Sequence, residues 1–423
     1  MEPTTPDPAD PPAASGGRHE RTSWQLSLER RLAALPPSRR RRLRSFASSG
    51  GGGLIPQPPH PGSEHPPASS GPLLDLASND YLGLSRHPLV IAAAAAELQA
   101  SGLGAGASRL VSGSRPVHAA LEAALASWLG RERALLFPSG FQANLAAVAA
   151  LADRHSLVLA DRLIHHSLLA GVRGSGAQLQ RFGHNDLADL ERRLIGSRAA
   201  DPDQAVLVLS ESLFSMQGTS PELDRLVALC QRHGAALLLD EAHALGVLGP
   251  GGRGLGHGLA GIALLSGTLG KALGSGGAFL AGDASTIDWL LQSSGAFRYT
   301  TALAPPLAAG ALAALQWLQT QECHPTAPQA AGERLLQRAT RWRNSLEAAG
   351  WPRPPGVGPI LPLLVGSDER ALELQQRLER AGLLSVAIRP PTVPAGSARL
   401  RLVLRRDLPP GTLERLITAL GTP

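Results

Sequence analysis

Short uninterrupted apolar runs, separated by segments of helix length, recur through the middle of the chain. Continuous apolar strands that alternate with helices are typical of a parallel sheet covered on both faces. The pattern therefore predicts an α/β fold with a large, mostly parallel sheet. The predicted strands cover residues 134–137, 157–160, 205–210, 235–239 and 262–266, and the predicted helices between them cover 144–151, 187–195 and 221–233.

The pattern changes beyond about residue 300. Helical periodicity covers 305–319 and 333–349, and short alternating strands follow at 360–365, 385–388 and 399–404. Helices followed by short strands predict a second, smaller α+β domain at the C-terminus.

The first 72 residues lack the strand and helix alternation. Residues 1–22 are rich in Pro, Ala and Asp, and we expect them to be disordered. Leu28, Leu32 and Leu35, with charges between them, predict one or two helices over 24–46, and residues 48–72 read as a Gly/Pro linker. We therefore divide the chain into an extension (1–22), a helical segment with its linker (23–72), a large α/β domain (73–300) and a small domain (301–423).

Composition excludes several classes of protein. The 423 residues are 43% hydrophobic, as expected for a globular protein, and contain no run long and apolar enough for a membrane helix. The N-terminus lacks the basic start and apolar core of a secretory signal. Cys230 and Cys323 lack the spacing of metal ligands, so we expect no metal site, no disulfide framework and a cytoplasmic protein.

The net charge of +6 is compatible with binding to nucleic acid. The arginines are spread along the chain, and the one dense run is at 39–44. A single short run is typical of a solvated helix face, so we expect no nucleic-acid partner. An arginine-rich protein that binds an acidic polymer through this run is the non-enzyme alternative.

Lysine usage is a sharper signal than net charge. Lys271 is the only lysine among 40 basic residues. Arginine supplies positive charge but does not lose its proton in proteins, whereas a lysine amine does. Lys271 is therefore a candidate for amine chemistry.

Polar residues follow the predicted strands, where ligands bind on parallel sheets. Asp240 and His243 follow one strand, and Lys271 follows the next in a Gly-rich turn. Gly140 opens a helix whose N-terminus suits a phosphate. A lysine amine condenses with an aldehyde, and a carboxylate keeps a pyridine nitrogen protonated. These residues predict a site for pyridoxal 5'-phosphate (PLP).

Two further side chains are expected at the same edge of the sheet. His165 follows the strand at 157–160 and suits stacking on a flat ring. Ser215 follows the strand at 205–210 and adds a hydroxyl. Each signal alone is also compatible with a structural role, but their order along the chain supports one site.

Several motifs resemble the α-oxoamine synthases, a family of fold-type-I PLP enzymes, from about residue 24 to the C-terminus. The family resemblance is carried by Ser78-Asn79-Asp80-Tyr81-Leu82-Gly83-Leu84, Arg109-Leu110-Val111-Ser112-Gly113, Ser139-Gly140-Phe141, Asp240-Glu241-Ala242-His243 and Thr268-Leu269-Gly270-Lys271. Within the family, Ala387-Ile388-Arg389-Pro390-Pro391-Thr392-Val393-Pro394 with Arg399-Leu400-Arg401-Leu402 indicates the branch that uses L-alanine.

The resemblance implies a role for each motif residue. Lys271 would bind the cofactor covalently, Asp240 would pair with its ring nitrogen, His243 would bond its phenolic oxygen and His165 would stack on the ring. The phosphate would be held by Gly140, Phe141 and Thr268, with Ser215 near the ring oxygen and Thr301 reaching the phosphate of the other subunit of a homodimer. Substrate would contact Asn79, His165, Arg389 and Thr392, and also Arg44, although Arg42 is nearly as good.

The implied substrates are L-alanine and pimeloyl-CoA or pimeloyl-carrier protein, joined by a decarboxylative Claisen condensation. Gln217 departs from the family, which has Asp after Ser-Met. Family members that use glycine or serine are alternatives within this fold. An aminotransferase or a decarboxylase would share the fold and Lys271, and would turn over without an acyl thioester.

Overall fold

The structure is a computed structural model that describes residues 21–36, 39–41, 43–50, 52–58, 71–323 and 331–423. The chain separates into two compact units, residues 1–43 and 44–423. In the first unit the helix α1 (Ser23–Ala33) is capped by Thr22, and its side chains are largely exposed. Of the one or two helices predicted over 24–46, the structure shows α1, which ends at Ala33, and a strand begins at Phe46. Residues 1–20, most of the predicted disordered extension, lie outside the described residues.

The second unit is built around a seven-stranded sheet. Its strands are β4 (Arg133–Phe137), β5 (Leu157–Asp161), β6 (Gln178–Phe182), β7 (Val206–Glu211), β8 (Ala236–Asp240), β9 (Leu264–Thr268) and β10 (Ala278–Gly282), and their order across the sheet is β4-β10-β9-β8-β7-β5-β6. Six of the seven strands run in the same direction, and most of the central strands are buried along their whole length. The predicted α/β class is confirmed.

Two strands of this sheet were not predicted. β10 runs antiparallel between β4 and β9, and β6 forms the edge beside β5. The predicted strand at 262–266 is displaced by two residues, because β9 begins at Leu264. The predicted helices at 144–151, 187–195 and 221–233 correspond to α4, α6 and α7, and the other helices of this part were not predicted. The bounds are α2 (Pro88–Ser101), α3 (Pro116–Leu129), α4 (Gly140–Leu151), α5 (His166–Ser175), α6 (Leu187–Ala200), α7 (Leu223–Arg232), α8 (Ala284–Ser293) and α9 (Gly295–Arg298).

The C-terminal part contains a three-stranded antiparallel sheet with the order β11-β14-β13. Its helices and strands agree with the predicted α+β pattern. Their bounds are α10 (Pro305–Cys323), α11 (Ala331–Ala348), β11 (Ile360–Gly366), α12 (Asp368–Arg380), β12 (Leu383–Leu384), β13 (Val386–Ile388), β14 (Ala398–Val403) and α13 (Thr412–Leu420).

A third sheet corrects the prediction of a structureless linker over 48–72. It has the order β1-β2-β3-β12, where β1 is Phe46–Ser48, β2 is Gly53–Pro56 and β3 is Leu73–Asp75. The four-residue β2 lies inside the predicted linker. β3 pairs in parallel with β12, so the start of the large domain is hydrogen-bonded to the C-terminal part. The boundaries at residues 72 and 300 stay predictions.

Candidate active site

The carboxyl ends of three adjacent strands meet at one edge of the large sheet. Glu211 ends β7 and is the register partner of Asp240, which ends β8. Asp240 in turn pairs with Ser266 of β9, two residues before Thr268. The sheet order therefore brings together residues that are nearly 60 positions apart in sequence, and Lys271 lies in the turn after β9.

Lys271 lies against His243, with 2.9 Å between Lys271 Nζ and His243 Nε2. Burial lowers the pKa of Lys271 to about 8, against the attraction of Asp240 and Glu211. Burial also lowers the pKa of His243 well below its usual value, and the charges of Lys271 and Arg401 act in the same direction. The amine is thereby prepared to lose its proton at a pH where an ordinary lysine is fully charged.

Asp240 is buried and held by two donors. The backbone N–H of Ala242 donates to Oδ1 (2.9 Å), and Asn144 Nδ2 donates to Oδ2 (2.7 Å). Asn144 is itself oriented by Ser266, whose hydroxyl donates to Asn144 Oδ1 (2.6 Å). Sequence reasoning missed Asn144, although it stands in the first turns of the helix that Gly140 opens.

His165 is the N-cap residue of α5 and lies close to this group. Its Nδ1 is 2.7 Å from the hydroxyl of Ser167, which also accepts a hydrogen bond from Asn144 Nδ2 (3.0 Å). Burial lowers the pKa of His165, partly against the attraction of Asp240. A neutral imidazole suits stacking on a flat ring better than a charged one does.

The predicted phosphate residues are also neighbours. Ser139 caps α4 by accepting from the N–H of Gln142, which leaves the other N–H groups of the first turn as donors. A Cβ on Gly140 would lie 3.9 Å from Thr268 Oγ1, so the helix start and the hydroxyl face one another. Phe141 is 46% exposed.

Arg401 connects the small domain to the site and was not assigned a role from sequence. It is buried on β14, its Nε donates to the carbonyl of Ser215 (2.7 Å) and its Nη2 donates to Asn79 Oδ1 (2.9 Å). One guanidinium therefore binds both Asn79 and Ser215, as expected if both belong to the site. The signal available in the sequence was a charged residue in an apolar strand, Leu400-Arg401-Leu402.

The predicted substrate residues of the small domain lie in the loop after β13. Arg389 is buried, and its carbonyl accepts a hydrogen bond from the N–H of Thr392 (3.1 Å), whose side chain is exposed. The two residues are thus close in one loop. Their contact with substrate stays a prediction.

Among the described residues, no hydrogen bond joins Arg44 or Thr301 to the site residues at the ends of β7, β8 and β9. Arg44 Nη1 lies 2.7 Å from Glu379 Oε1, a buried carboxylate on α12, and its guanidinium stacks over Phe46. Arg44 is thus engaged within the second unit. Thr301 is exposed just after α9, and Arg42 lies outside the described residues.

A buried carboxylic acid, Glu211, is an addition to the predicted set. Its Oε1 is buried without a hydrogen-bond partner, and burial raises its pKa well above the usual value, with the charge of Asp240 acting in the same direction. Two carboxyl groups in register would repel one another if both were charged. A neutral Glu211 avoids this repulsion.

These residues fit PLP. The site offers a lysine amine of lowered pKa for the aldehyde, a buried carboxylate for a protonated ring nitrogen, and a helix N-terminus with a hydroxyl for the phosphate. Among the described residues, no group of three or more His, Cys, Asp or Glu side chains could hold a metal ion. None of the helices in the described part of the chain has the length and hydrophobicity that a membrane crossing needs.

The chain is similar to proteins of known type. A family model for class I and II aminotransferases matches residues 71–420. The 8-amino-7-oxononanoate synthase of Acidithiobacillus ferrooxidans is 44% identical over 82% of this chain and 87% of its own length. That of Chromohalobacter salexigens is 45% identical over 83% of this chain and 89% of its own.

Solved structures agree with the sequence relatives. Serine palmitoyltransferase of Sphingomonas wittichii superposes with a TM-score of 0.83 at 26% identity, covering 94% of this chain and 96% of that one. The 8-amino-7-oxononanoate synthase of Francisella tularensis superposes with a TM-score of 0.69 at 27% identity, covering 82% of this chain and 96% of that one.

Proposed function

The chain belongs to the class I and II aminotransferase family, and we propose that it catalyses the reaction of its 8-amino-7-oxononanoate synthase relatives, a step of biotin biosynthesis. It condenses L-alanine with a pimeloyl thioester. A bond forms between the α-carbon of alanine and the acyl carbon, the alanine carboxylate leaves as CO₂, and the thiol is released. The relatives' identity of 42–45% over about 82% of the chain supports the substrates.

One observation carries the chemistry, namely the partly buried amine of Lys271 at hydrogen-bond distance from a neutral His243. PLP, when bound, supplies an aldehyde that condenses with amines and a ring that takes up the electrons released at the α-carbon. Lys271 would hold it covalently, and Asp240 would accept a hydrogen bond from the ring nitrogen. Gly140, Phe141 and Thr268 would hold the phosphate, with Ser215 nearby.

The chain's own groups then orient substrate and move one proton. Arg389 binds the carboxylate of alanine until it leaves as CO₂. The freed amine of Lys271 takes the proton from the α-carbon of alanine at Nζ and later returns it. His165 and Asn79 line the substrate side, Thr392 and Arg44 contact the acyl substrate, and the active form is a homodimer in which Thr301 reaches the partner's site.

The test uses purified protein with PLP, L-alanine and either pimeloyl-CoA or pimeloyl-carrier protein, with thiol release as the readout. Thiol release should require alanine and should be much slower with glycine or serine. Lys271→Ala and Lys271→Arg should both abolish it, because arginine keeps the charge but cannot deliver the amine. Turnover by either variant, or equal turnover with all three amino acids, would contradict the proposal.

Serine palmitoyltransferase activity is the second candidate. Several serine palmitoyltransferase structures superpose with TM-scores of 0.81–0.83, higher than the 0.69 of the 8-amino-7-oxononanoate synthase structure. Their 26% identity is far below the 44–45% of the curated relatives. Thiol release from palmitoyl-CoA with L-serine, at a rate above that of the pimeloyl substrates with alanine, would favour this candidate.

A further inference from the structure

Tyr81 connects the imidazole of the site to the small domain. It is completely buried, and its hydroxyl oxygen lies 2.6 Å from His243 Nδ1. Its backbone is fixed as well, because the N–H of Arg406 donates to the Tyr81 carbonyl (2.8 Å). Since His243 Nε2 lies 2.9 Å from Lys271 Nζ, one imidazole ring joins a phenol to the amine.

The proton on the phenol has one good acceptor. Burial raises the pKa of Tyr81 to about 12, so the hydroxyl keeps its proton. The guanidinium of Arg401 lies beside the phenol, and a guanidinium can only donate. Asn79 Oδ1 is 3.5 Å from the hydroxyl and already accepts from Arg401, whereas His243 Nδ1 is 2.6 Å away.

The position of the proton on the imidazole of His243 follows from this. Burial keeps the pKa of His243 well below its usual value, so the ring is neutral and carries one N–H. A neutral imidazole has one donor and one acceptor nitrogen. If Nδ1 accepts from Tyr81, the proton must be on Nε2, the nitrogen that faces Lys271.

We infer that Tyr81 is a positioning residue whose hydroxyl donates to His243 Nδ1, fixes the imidazole proton on Nε2 and directs that N–H toward Lys271 Nζ. An amine that accepts this hydrogen bond does so with its lone pair, and only the neutral amine has one. The arrangement therefore stabilises the reactive form of Lys271 and disfavours the ammonium, which would place two donors against one another.

The inference deepens the proposed function and rests on it for its use. With PLP bound, the same Nε2–H would be available as a donor to the phenolic oxygen of the cofactor, and Tyr81 would prevent the opposite tautomer. Tyr81 therefore acts through His243 and touches no reacting atom. The other groups that act on Lys271 are Asp240, Glu211 and Arg401, and Tyr81→Phe substitutes none of them.

Because Lys271 is the only lysine, its pKa can be measured directly. The full-length chain, stripped of cofactor, is labelled briefly with acetic anhydride across a pH series, and acetylation of the Lys271 peptide is quantified by mass spectrometry. Tyr81→Phe should raise the midpoint for Lys271 by about one pH unit, the size of a lost hydrogen bond to the neutral form. Tyr299→Phe, the same change at the only other tyrosine, which is 81% exposed, should leave the midpoint unchanged.

A second readout reports the tautomer itself. In protein labelled with ¹⁵N-histidine, the His243 resonance, assigned with His243→Gln, should show the proton on Nε2 in the wild type and a fraction on Nδ1 in Tyr81→Phe. Adding Tyr81→Phe to His243→Gln should cause no further change in the Lys271 midpoint, because the hydroxyl has lost the ring through which it acts.

Three results would overturn the inference: a wild-type proton on Nδ1, an unchanged Lys271 midpoint in Tyr81→Phe, or an equal shift when Tyr81→Phe is added to His243→Gln. The last outcome would show that Tyr81 acts by packing alone. None of these measurements uses substrate or turnover. A negative result would therefore contradict the role of Tyr81 without contradicting the proposed function.

Discussion

At the scale of single residues, burial decides which groups of the site carry charge. It lowers the pKa values of Lys271 and His243 and raises that of Glu211, so each is shifted toward its neutral form. Asp240 accepts hydrogen bonds at both carboxylate oxygens, from Asn144 and from the N–H of Ala242. These two donors orient the carboxylate where a ring nitrogen would be held.

Asn144 should therefore be necessary for cofactor affinity. Asn144→Leu keeps the size of the side chain but removes the donor to Asp240, and we expect PLP to bind at least about tenfold more weakly, as for loss of a hydrogen bond to a charged group. Titration of the cofactor-free protein with PLP, followed by absorbance, measures this.

Ser266→Ala is the matched control for Asn144. It removes the hydroxyl that orients the amide but leaves the amide itself, so its loss of affinity should be smaller. If Asn144→Leu bound PLP like the wild type, Asn144 would have no part in orienting Asp240.

Site residues could be predicted from the sequence where the residue type is chemically distinctive. Few other site residues could be predicted. Lys271 is the only lysine, and Asp240 and His243 follow an apolar run, so each could be identified. Arg401 is one arginine among many, and its position beside Asn79 depends on β14 packing against the large domain. Asn144 looks like any polar residue at a helix start, and only the sheet order places it against Asp240.

At the scale of elements, a buried carboxylate holds a glycine-rich loop beside the site. Glu241 accepts hydrogen bonds from the hydroxyl of Ser212 (2.5 Å) and from the N–H groups of Leu255 (3.2 Å) and Gly256 (2.5 Å). Burial raises its pKa to about 7 despite these three donors. The loop that follows His243 is thus attached to the end of β8 by one side chain.

The raised pKa of Glu241 predicts a pH-dependent stability. The folded form holds its proton up to about pH 7, whereas in the unfolded chain the carboxyl group has its ordinary pKa of about 4.5. The contribution of Glu241 is therefore greatest below about pH 4.5 and is lost as the pH rises to 7, by up to about 3 kcal/mol.

Glu241→Gln should remove this slope and also leave one donor unpaired, because the amide nitrogen cannot accept. The difference in free energy of unfolding between wild type and variant should be largest below about pH 4.5 and should narrow as the pH rises to about 7. Urea denaturation at several pH values measures it, with exposed Glu222→Gln as the control. A difference that widened as pH rose would contradict the raised pKa.

Hydrophobic periodicity predicted the buried strands of the large sheet but not its exposed or antiparallel ones. β7 and β8 are buried and apolar, and both were predicted to within one residue of their start. β6 is an edge strand with four exposed residues and the sequence Gln178-Leu179-Gln180-Arg181-Phe182, so it has no apolar run to detect. The antiparallel direction of β10 is set by its pairing with β4 and β9, which no local pattern encodes.

At the scale of the whole second unit, one buried arginine joins the two parts that form the site. Arg405 Nη1 donates to Asp75 Oδ2 at the end of β3 (2.9 Å), and its Nε and Nη2 donate to Asp407. Asp75 also accepts from the N–H groups of Ala77 and Ser78, just before Asn79. The pair thus fixes the segment that carries Asn79 and Tyr81 against the small domain.

Arg405→Met should destabilise the protein by about 3 kcal/mol, because it leaves the carboxylate of Asp75 buried without its cation. Adding Asp75→Asn should recover part of the loss, since the amide removes the charge and can keep the bonds to Ala77 and Ser78. Guanidinium denaturation measures both.

The exposed pair Arg353–Glu347 supplies the control for Arg405. Arg353→Met should cost less than about 1 kcal/mol, as exposed ion pairs usually do. Equal losses in Arg405→Met and Arg353→Met would show that the buried pair does not hold the two parts together.

The proposed homodimer makes a prediction that no single chain can satisfy. If Thr301 serves the partner's site, a site needs Lys271 from one chain and Thr301 from the other. Co-expressed Lys271→Ala and Thr301→Glu chains, each inactive alone, then give hybrid dimers with one intact site. With random pairing, the mixture should recover about a quarter of wild-type activity.

The control mixes Lys271→Ala with Asp240→Ala chains. This mixture should recover no activity, because both residues belong to the same chain's site. Failure of the first mixture, in dimers shown to have exchanged chains, would place Thr301 with its own Lys271.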